Sequence, residues 1–126
     1  MIVAIGIDII EVARIREVLS RTPSVAQRVF TAAERQYCDS RGVASAQHYA
    51  ARFAAKEAML KALHTGWRGG ISWQDVEVAA KTSGAPYLLL HGVVQELFTA
   101  SGATKTHLSM SHTHEHAIAE VILEKA

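Results

Sequence analysis

Residues 52–63 read RFAAKEAMLKAL, and the helix that holds them decides how the rest of the chain must fold. The spacing predicts one long helix from about Ser45 to His64, followed by a loop at Gly66, Gly69 and Gly70. On a helical wheel Tyr49, Phe53, Met59, Leu60 and Leu63 form one bulky stripe. Ala51, Ala54, Ala55, Ala58 and Ala62 lie opposite. No ordinary polar face remains, so the helix is expected to be buried on both sides. Its alanine side would let a sheet or another helix approach very closely. Arg52 and Lys56 intrude on the bulky stripe, and charges on a buried helix require partners. Glu57 and Lys61 lie one turn apart on one edge, in the order that favours pairing.

Working outward, the N-terminal run MIVAIGIDII predicts a strand over residues 2–9, rich in β-branched residues and free of proline. Ala4, Gly6 and Asp8 share one side of it, and Val3, Ile5, Ile7 and Ile9 share the other. Asp8 therefore sits on the side with the smallest residues, where another element can come close. A carboxylate in such a run is costly to bury alone. One plain reading is a helix N-cap for the segment that follows. A helix is expected from about 11 to 21, with Ile15, Val18 and Leu19 inward, ended by Pro23. Arg14, Arg21 and Arg28 recur every seven residues, with Pro23 interrupting the helix before the last of them. Thr31 and Glu34 have capping-box spacing ahead of a short helix to about Ser40, with Gly42 as its stop.

Beyond the long helix, residues 71–81 (ISWQDVEVAAK) read as a strand and Pro86 to His91 as its hairpin partner, turning at Ser83-Gly84. Val93, Val94, Leu97 and Phe98 mark a helix ending near Gly102. Two alternating strands close the chain, KTHLSMSH and HAIAEVILEK, joined through THEH. Hairpins rather than regular βαβ units make the expected fold α+β, a mostly antiparallel sheet wrapped around a long buried helix. The whole of residues 1–126 is expected to form one domain.

Composition bounds the function. Apolar residues are 49% and charged residues 20%, the profile of an ordinary globular protein. A net charge of +1 gives no overall field for nucleic acid or membrane, so an anionic partner must meet a local basic cluster. The single cysteine, Cys38, excludes a disulfide framework and suggests a reducing compartment. No transmembrane run or signal peptide is apparent, so the cytoplasm is the expected location. A small core also makes oligomerisation an expectation.

Two carboxylates, Asp8 and Glu57, on separate buried elements suggest a hard cation between them. Mg²⁺ commonly takes one or two carboxylates plus substrate phosphates. The competing reading of Glu57 is a solvated pair with Lys61, worth a few tenths of a kcal/mol. Three stretches then carry a specific resemblance: GIDIIEVARI near the start, RFAAKEAMLKAL in mid-chain and HLSMSHTHEHAIAEVIL at the end. In their order and spacing the chain resembles the holo-acyl-carrier-protein synthases, the small bacterial type of 4′-phosphopantetheinyl transferase, over essentially its whole length.

The resemblance implies Mg-dependent transfer of 4′-phosphopantetheine from coenzyme A to a serine of an apo acyl carrier protein. Adenosine 3′,5′-bisphosphate is released, in the service of fatty acid biosynthesis. It implies that Asp8 and Glu57 are the metal carboxylates and that Lys61 contacts the pyrophosphate and is one candidate for proton transfer. The proton acceptor is left open among a metal-bound water, Glu57 and Lys61. His107, Ser109 and His112 match the family's H-x-S-x-[ST]-H run, implicated in coenzyme A binding, and Arg52 matches a phosphate contact. Other readings are a wet sheet face for the serines and an internal ion pair for Arg52. Arg14 matches a basic residue that faces an acidic carrier protein, with Arg21 one repeat later as a further candidate, against the alternative of a solvated helix face. The resemblance further implies a homotrimer with active sites between neighbouring chains.

The family pattern does not explain HEH at 114–116. His112, His114 and His116 on one strand would share a face and suit Zn²⁺, but a turn is expected at Thr113–Glu115. The competing functions are a non-catalytic module of this fold that binds coenzyme A or a carrier protein, and a small His-rich metal-binding protein. Intact Asp8, Glu57 and Lys61 favour the transferase. No P-loop, Cys-pair zinc motif, nucleophile elbow or dinucleotide fingerprint competes.

Overall fold

The computed structural model describes residues 1–67 and 69–126. In chain order the elements are β1 (Ile2–Glu11), α1 (Val12–Arg21), α2 (Ser24–Val29), α3 (Ala32–Asp39) and α4 (Ser45–Leu63). Then come β2 (Val76–Ala80), β3 (Pro86–Leu90), α5 (Gly92–Ala100), β4 (Lys105–His112) and β5 (His116–Glu124). Two short 3-10 turns, Gly42–Ala44 and Trp73–Asp75, precede α4 and β2.

The fold is α+β with antiparallel pairing throughout, organised around α4. Two sheets take the place of the one expected: a three-stranded sheet in the order β1-β5-β4 and a separate hairpin, β2-β3. The expected strand over 71–81 is shorter, because Ser72 and Asp75 form a reciprocal capping box that turns Trp73–Asp75 into a 3-10 helix first. Pro23 does end α1, but the chain re-enters a helix at once as α2, which the periodicity did not show. Thr31 and Glu34 make the expected capping box at the start of α3.

Twelve residues of α4 are buried, among them the alanines 50, 51, 54, 55, 58 and 62. Its first half packs with Val12, Ile15, Val29, Phe30, Cys38 and Ala117. Its second half packs with Val76, Val78, Val94, Ala119, Val121 and Leu123. Burying each valine, leucine, isoleucine or phenylalanine among them contributes about 1.5–3 kcal/mol. The alanine side lets β1 come within backbone contact: a Cβ on Gly6 would stand 1.9 Å from the Ala58 carbonyl oxygen. Glycine at position 6 is thus a requirement of strand-to-helix approach rather than of backbone conformation.

The sheet obeys the alternation read from the sequence. In register, Gly6, Asp8 and Ile10 lie beside Val121, Ala119 and Ala117, and these beside Leu108, Met110 and His112. The outer face carries Ile5, Ile7 and Ile9 on β1, which are 50–62% exposed. Val18 departs from expectation: it is 40% exposed, because α1 turns Val12 and Ile15 into the core and leaves Val18 at the rim of a cleft.

Both charges on the bulky stripe of α4 are buried, as the pattern required. Lys56 pairs with Glu34 at 2.9 Å, both side chains fully buried, and also donates to the carbonyls of Trp73 and Val76. Glu34 in turn accepts from the Thr31 and Val78 N–H groups. The pair is fully hydrogen-bonded, the condition under which a buried ion pair is tolerated. Glu34 was legible in the sequence only as half of a capping box.

Candidate active site

Asp8 and Glu57 face one cleft of about 350 Å³ between β1, α1, α2 and α4, lined also by Arg14, Val18, Phe30 and Phe53. Asp8 arrives from the inner face of the edge strand β1. Glu57 arrives from α4, one residue before Ala58, the residue against which Gly6 packs. The alanine–glycine contact therefore sets the spacing between the two carboxylates. The N-cap reading of Asp8 fails: α1 has Glu11 at its N-cap and no side-chain cap.

Lys61 does not pair with Glu57 as the helical spacing suggested. Its ammonium donates to Asp8 Oδ1 at 2.9 Å and to the Ile7 carbonyl at 3.0 Å. Strand β1 outcompetes the helical neighbour because it offers a carboxylate and a carbonyl together. Glu57 instead accepts a hydrogen bond from the Trp67 indole N–H at 3.2 Å, a partner no sequence spacing announced. Asp8 and Glu57 together offer hard oxygen donors to one cleft, a donor set that suits Mg²⁺ completed by phosphate and water oxygens. Among the described residues no group of three or more His, Cys, Asp or Glu could hold a metal by itself.

Arg52 and His112 lie elsewhere, in a hollow of about 180 Å³ lined by Tyr37, His48, Ala51, Gly84 and Pro86. The Arg52 guanidinium stands 4.1 Å from the centre of the Tyr37 ring, and its Nε has no hydrogen-bond partner. None of the ion pairs among the described residues includes Arg52, so the internal-pair reading of it is not realised. His48 packs edge-on against His112 with ring centres 4.9 Å apart. Burial first, and then the neighbouring His112, Arg52 and Arg41, hold the His48 imidazolium below its usual range. His107 and Ser109 are on the opposite, outer face of β4, where His107 meets Glu124 at 2.8 Å. The histidine run is split by the expected turn: His112 ends β4, His116 begins β5, and His114 bonds the Gln47 amide at 3.1 Å.

On α1, Arg14 lines the carboxylate cleft and has no ion pair among the described residues. Arg21 is exposed and bound to Glu17 one turn back on its own helix. One chain thus brings together Asp8, Glu57, Lys61 and Arg14, groups Arg52 with His112 in a second hollow, and leaves His107 and Ser109 apart from both.

Known proteins share this sequence and fold. A holo-[acyl-carrier-protein] synthase from Geotalea daltonii is 48% identical over 126 residues, covering 99% of this chain and all of the relative. A crystal structure of the holo-[acyl-carrier-protein] synthase from Neisseria meningitidis superposes with a TM-score of 0.88 at 31% identity, covering 99% of this chain and 100% of the other. One from Bacillus anthracis, in complex with CoA (3′,5′-ADP), gives 0.81 at 38% identity, covering 100% and 99%. The model of the 4′-phosphopantetheinyl transferase superfamily matches residues 4–121, from the strand that carries Asp8 to the middle of β5, and the chain belongs to that superfamily.

Proposed function

We propose that this chain is an enzyme with holo-acyl-carrier-protein synthase activity. It transfers 4′-phosphopantetheine from coenzyme A to a serine of an apo acyl carrier protein. The observation that carries the reading is the pair Asp8 and Glu57, delivered by different elements to one cleft, with the Lys61 ammonium bound to Asp8. The serine hydroxyl attacks the phosphorus that bears pantetheine. The bond from that phosphorus to the bridging oxygen breaks, adenosine 3′,5′-bisphosphate leaves, and the serine proton is lost.

Asp8 and Glu57 would hold Mg²⁺, which when bound neutralises charge developing on the pyrophosphate oxygens. Lys61 is 54% exposed at its side chain, so its ammonium can meet a phosphate oxygen while staying beside Asp8. Arg52 and His112 would take other phosphate groups of coenzyme A, because the buried guanidinium has no carboxylate partner among the described residues. His107 and Ser109 are proposed as further coenzyme A contacts. Arg14, which lines the cleft and has no ion pair among the described residues, would meet an acidic carrier protein. Arg21 would join it by leaving Glu17.

Because Arg52, His107, Ser109 and His112 lie outside the carboxylate cleft of their own chain, the complete site is proposed to form between neighbouring copies in a homotrimer. The exposed stripe Ile5, Ile7 and Ile9 supports an interface on that face of the sheet; the number three rests on the family resemblance. The 126 residues would act as one transferase domain in the cytoplasm, serving fatty acid biosynthesis.

The test mixes protein, coenzyme A, Mg²⁺ and apo acyl carrier protein and weighs the carrier by mass spectrometry. A phosphopantetheine adduct is expected, absent with Asp8→Ala or Glu57→Ala at unchanged far-UV circular dichroism. Binding of coenzyme A with no adduct would make the chain a binding module instead. Mixing Asp8→Ala with His112→Ala chains should restore some activity if one site draws on two copies.

A further inference from the structure

Glu57 poses a positioning problem. It sits on a half-buried helix edge with Lys61 one turn on, in the order that draws a glutamate and a lysine together. Such a pairing would turn both side chains along the helix and away from the cleft. Among the described residues the group that holds Glu57 is the indole N–H of Trp67. Trp67 reaches it by a tight reversal: His64 ends α4 at φ 58° and Gly66 follows at φ 59°, so the loop doubles back along the last turns of the helix.

The loop is held there by a tilted contact between the Trp67 and Trp73 rings, 39° apart in plane. The rings of Trp67 and Trp73 have centres 3.5 Å apart, and Trp73 stacks on Phe53 at 5.0 Å, with Phe53 lining the carboxylate cleft. Trp73 is in turn fixed by its carbonyl, which accepts from the buried Lys56 ammonium at 3.2 Å. A chain of contacts therefore runs from the Glu34–Lys56 pair through two indoles to the carboxylate.

We propose that Trp67 is the positioning residue for Glu57: its indole N–H, fixed by the contact of its ring with Trp73, which stacks on Phe53, keeps the carboxylate turned into the cleft as a metal donor and away from Lys61. The inference rests on the reading of Asp8 and Glu57 as metal donors. A hydrogen bond to one carboxylate oxygen leaves the other free for a cation, the usual arrangement of an outer partner behind a ligating side chain.

The probe is Mn²⁺ with coenzyme A present, its free concentration read by electron paramagnetic resonance on the full-length protein. Trp67→Phe keeps an aromatic ring against Trp73 and removes the N–H. It is expected to weaken Mn²⁺ binding about tenfold, the lower end for loss of an outer partner. The melting temperature and the KM for carrier protein should not move. Tryptophan emission gives a second measurement, since the chain has only two tryptophans. In Trp73→Phe, Trp67 is the sole indole, and its emission should change as Mg²⁺ saturates the site. Wild-type Mn²⁺ affinity in Trp67→Phe, with Asp8→Ala abolishing binding, would overturn the role of Trp67 alone. Mn²⁺ binding indifferent to Asp8→Ala would overturn the metal site and Trp67 with it. Should Trp67→Phe fail to fold, the emission of Trp73→Phe decides: no change on Mg²⁺ overturns the proposal.

Discussion

Gly6→Ala adds one methyl group at the point where strand β1 crosses helix α4. The new Cβ would lie 1.9 Å from the Ala58 carbonyl oxygen, 2.8 Å from the Ala62 nitrogen and 2.9 Å from the Ala58 carbonyl carbon. All three are backbone atoms, so no side chain can rotate away. Restoring an ordinary contact of 3.4 Å to the oxygen requires strand and helix to part by 3.4 − 1.9, about 1.5 Å. Overpacking of a well-filled core costs about 1–3 kcal/mol, and a clash against backbone belongs at the upper end. The stiffer unfolded chain returns about 0.4–1 kcal/mol. The net loss of about 2 kcal/mol corresponds to a fall in Tm of roughly 8 °C for a chain of this size. The effect on activity should be larger than on stability. Asp8 is two residues along β1 from the clash, Glu57 and Lys61 immediately precede Ala58 and Ala62, and the 2.9 Å contact from Lys61 to Asp8 crosses the same gap. Misplacement of reacting groups by about 1 Å can cost about a hundredfold in rate. Thermal melts followed by circular dichroism and initial rates of carrier modification measure the two effects. Gly69→Ala, where nothing lies within 4 Å of the added methyl, is the control and should leave both unchanged. A Gly6→Ala protein with Tm within 2 °C of wild type and a rate within threefold would refute the claim that this contact spaces the carboxylates (thresholds set by roughly the magnitudes above).

Lys56→Met should cost about 3–5 kcal/mol in chemical denaturation, because it leaves the Glu34 carboxylate buried without its counter-charge; Lys56→Met together with Glu34→Gln should recover part of that loss. Arg14→Glu should raise the KM for carrier protein severalfold while leaving that for coenzyme A unchanged, with the gap narrowing in high salt; unchanged carrier kinetics would remove Arg14 from the docking surface. Burial pushes the Cys38 thiol up to about 12, so native protein should resist thiol reagents at pH 8 and react once unfolded. The raised value also means that the native state holds this proton more tightly. Its stabilising contribution is present below the ordinary thiol value of 9.0 and is lost as pH rises toward about 12, which alkaline denaturation of wild type against Cys38→Ala can measure.

Much of this molecule was legible from residue pattern. The alanine side of α4, the alternation in β1, β4 and β5 and the Thr31–Glu34 capping box each follow from local periodicity or from contacts within a few residues. The same holds for Asp8 and Glu57 as candidates, since carboxylates are conspicuous where the pattern demands burial. A second helix turn after Pro23 and a 3-10 start to β2 escaped because they are short and set by caps and packing rather than by period. Periodicity could state that Lys56 and Arg52 needed partners. It could not choose Glu34 for one and the Tyr37 ring for the other, because those partners lie on α3 and meet α4 only when the helices pack. Likewise the sequence offered Lys61 to Glu57, an interaction within one helix, whereas the folded chain gives Lys61 to Asp8 and Glu57 to Trp67. Local spacing ranks neighbours along the chain. Charge and hydrogen-bond partners in a buried site are selected by distance in space, and that distance is set here by the backbone contact between Gly6 and Ala58.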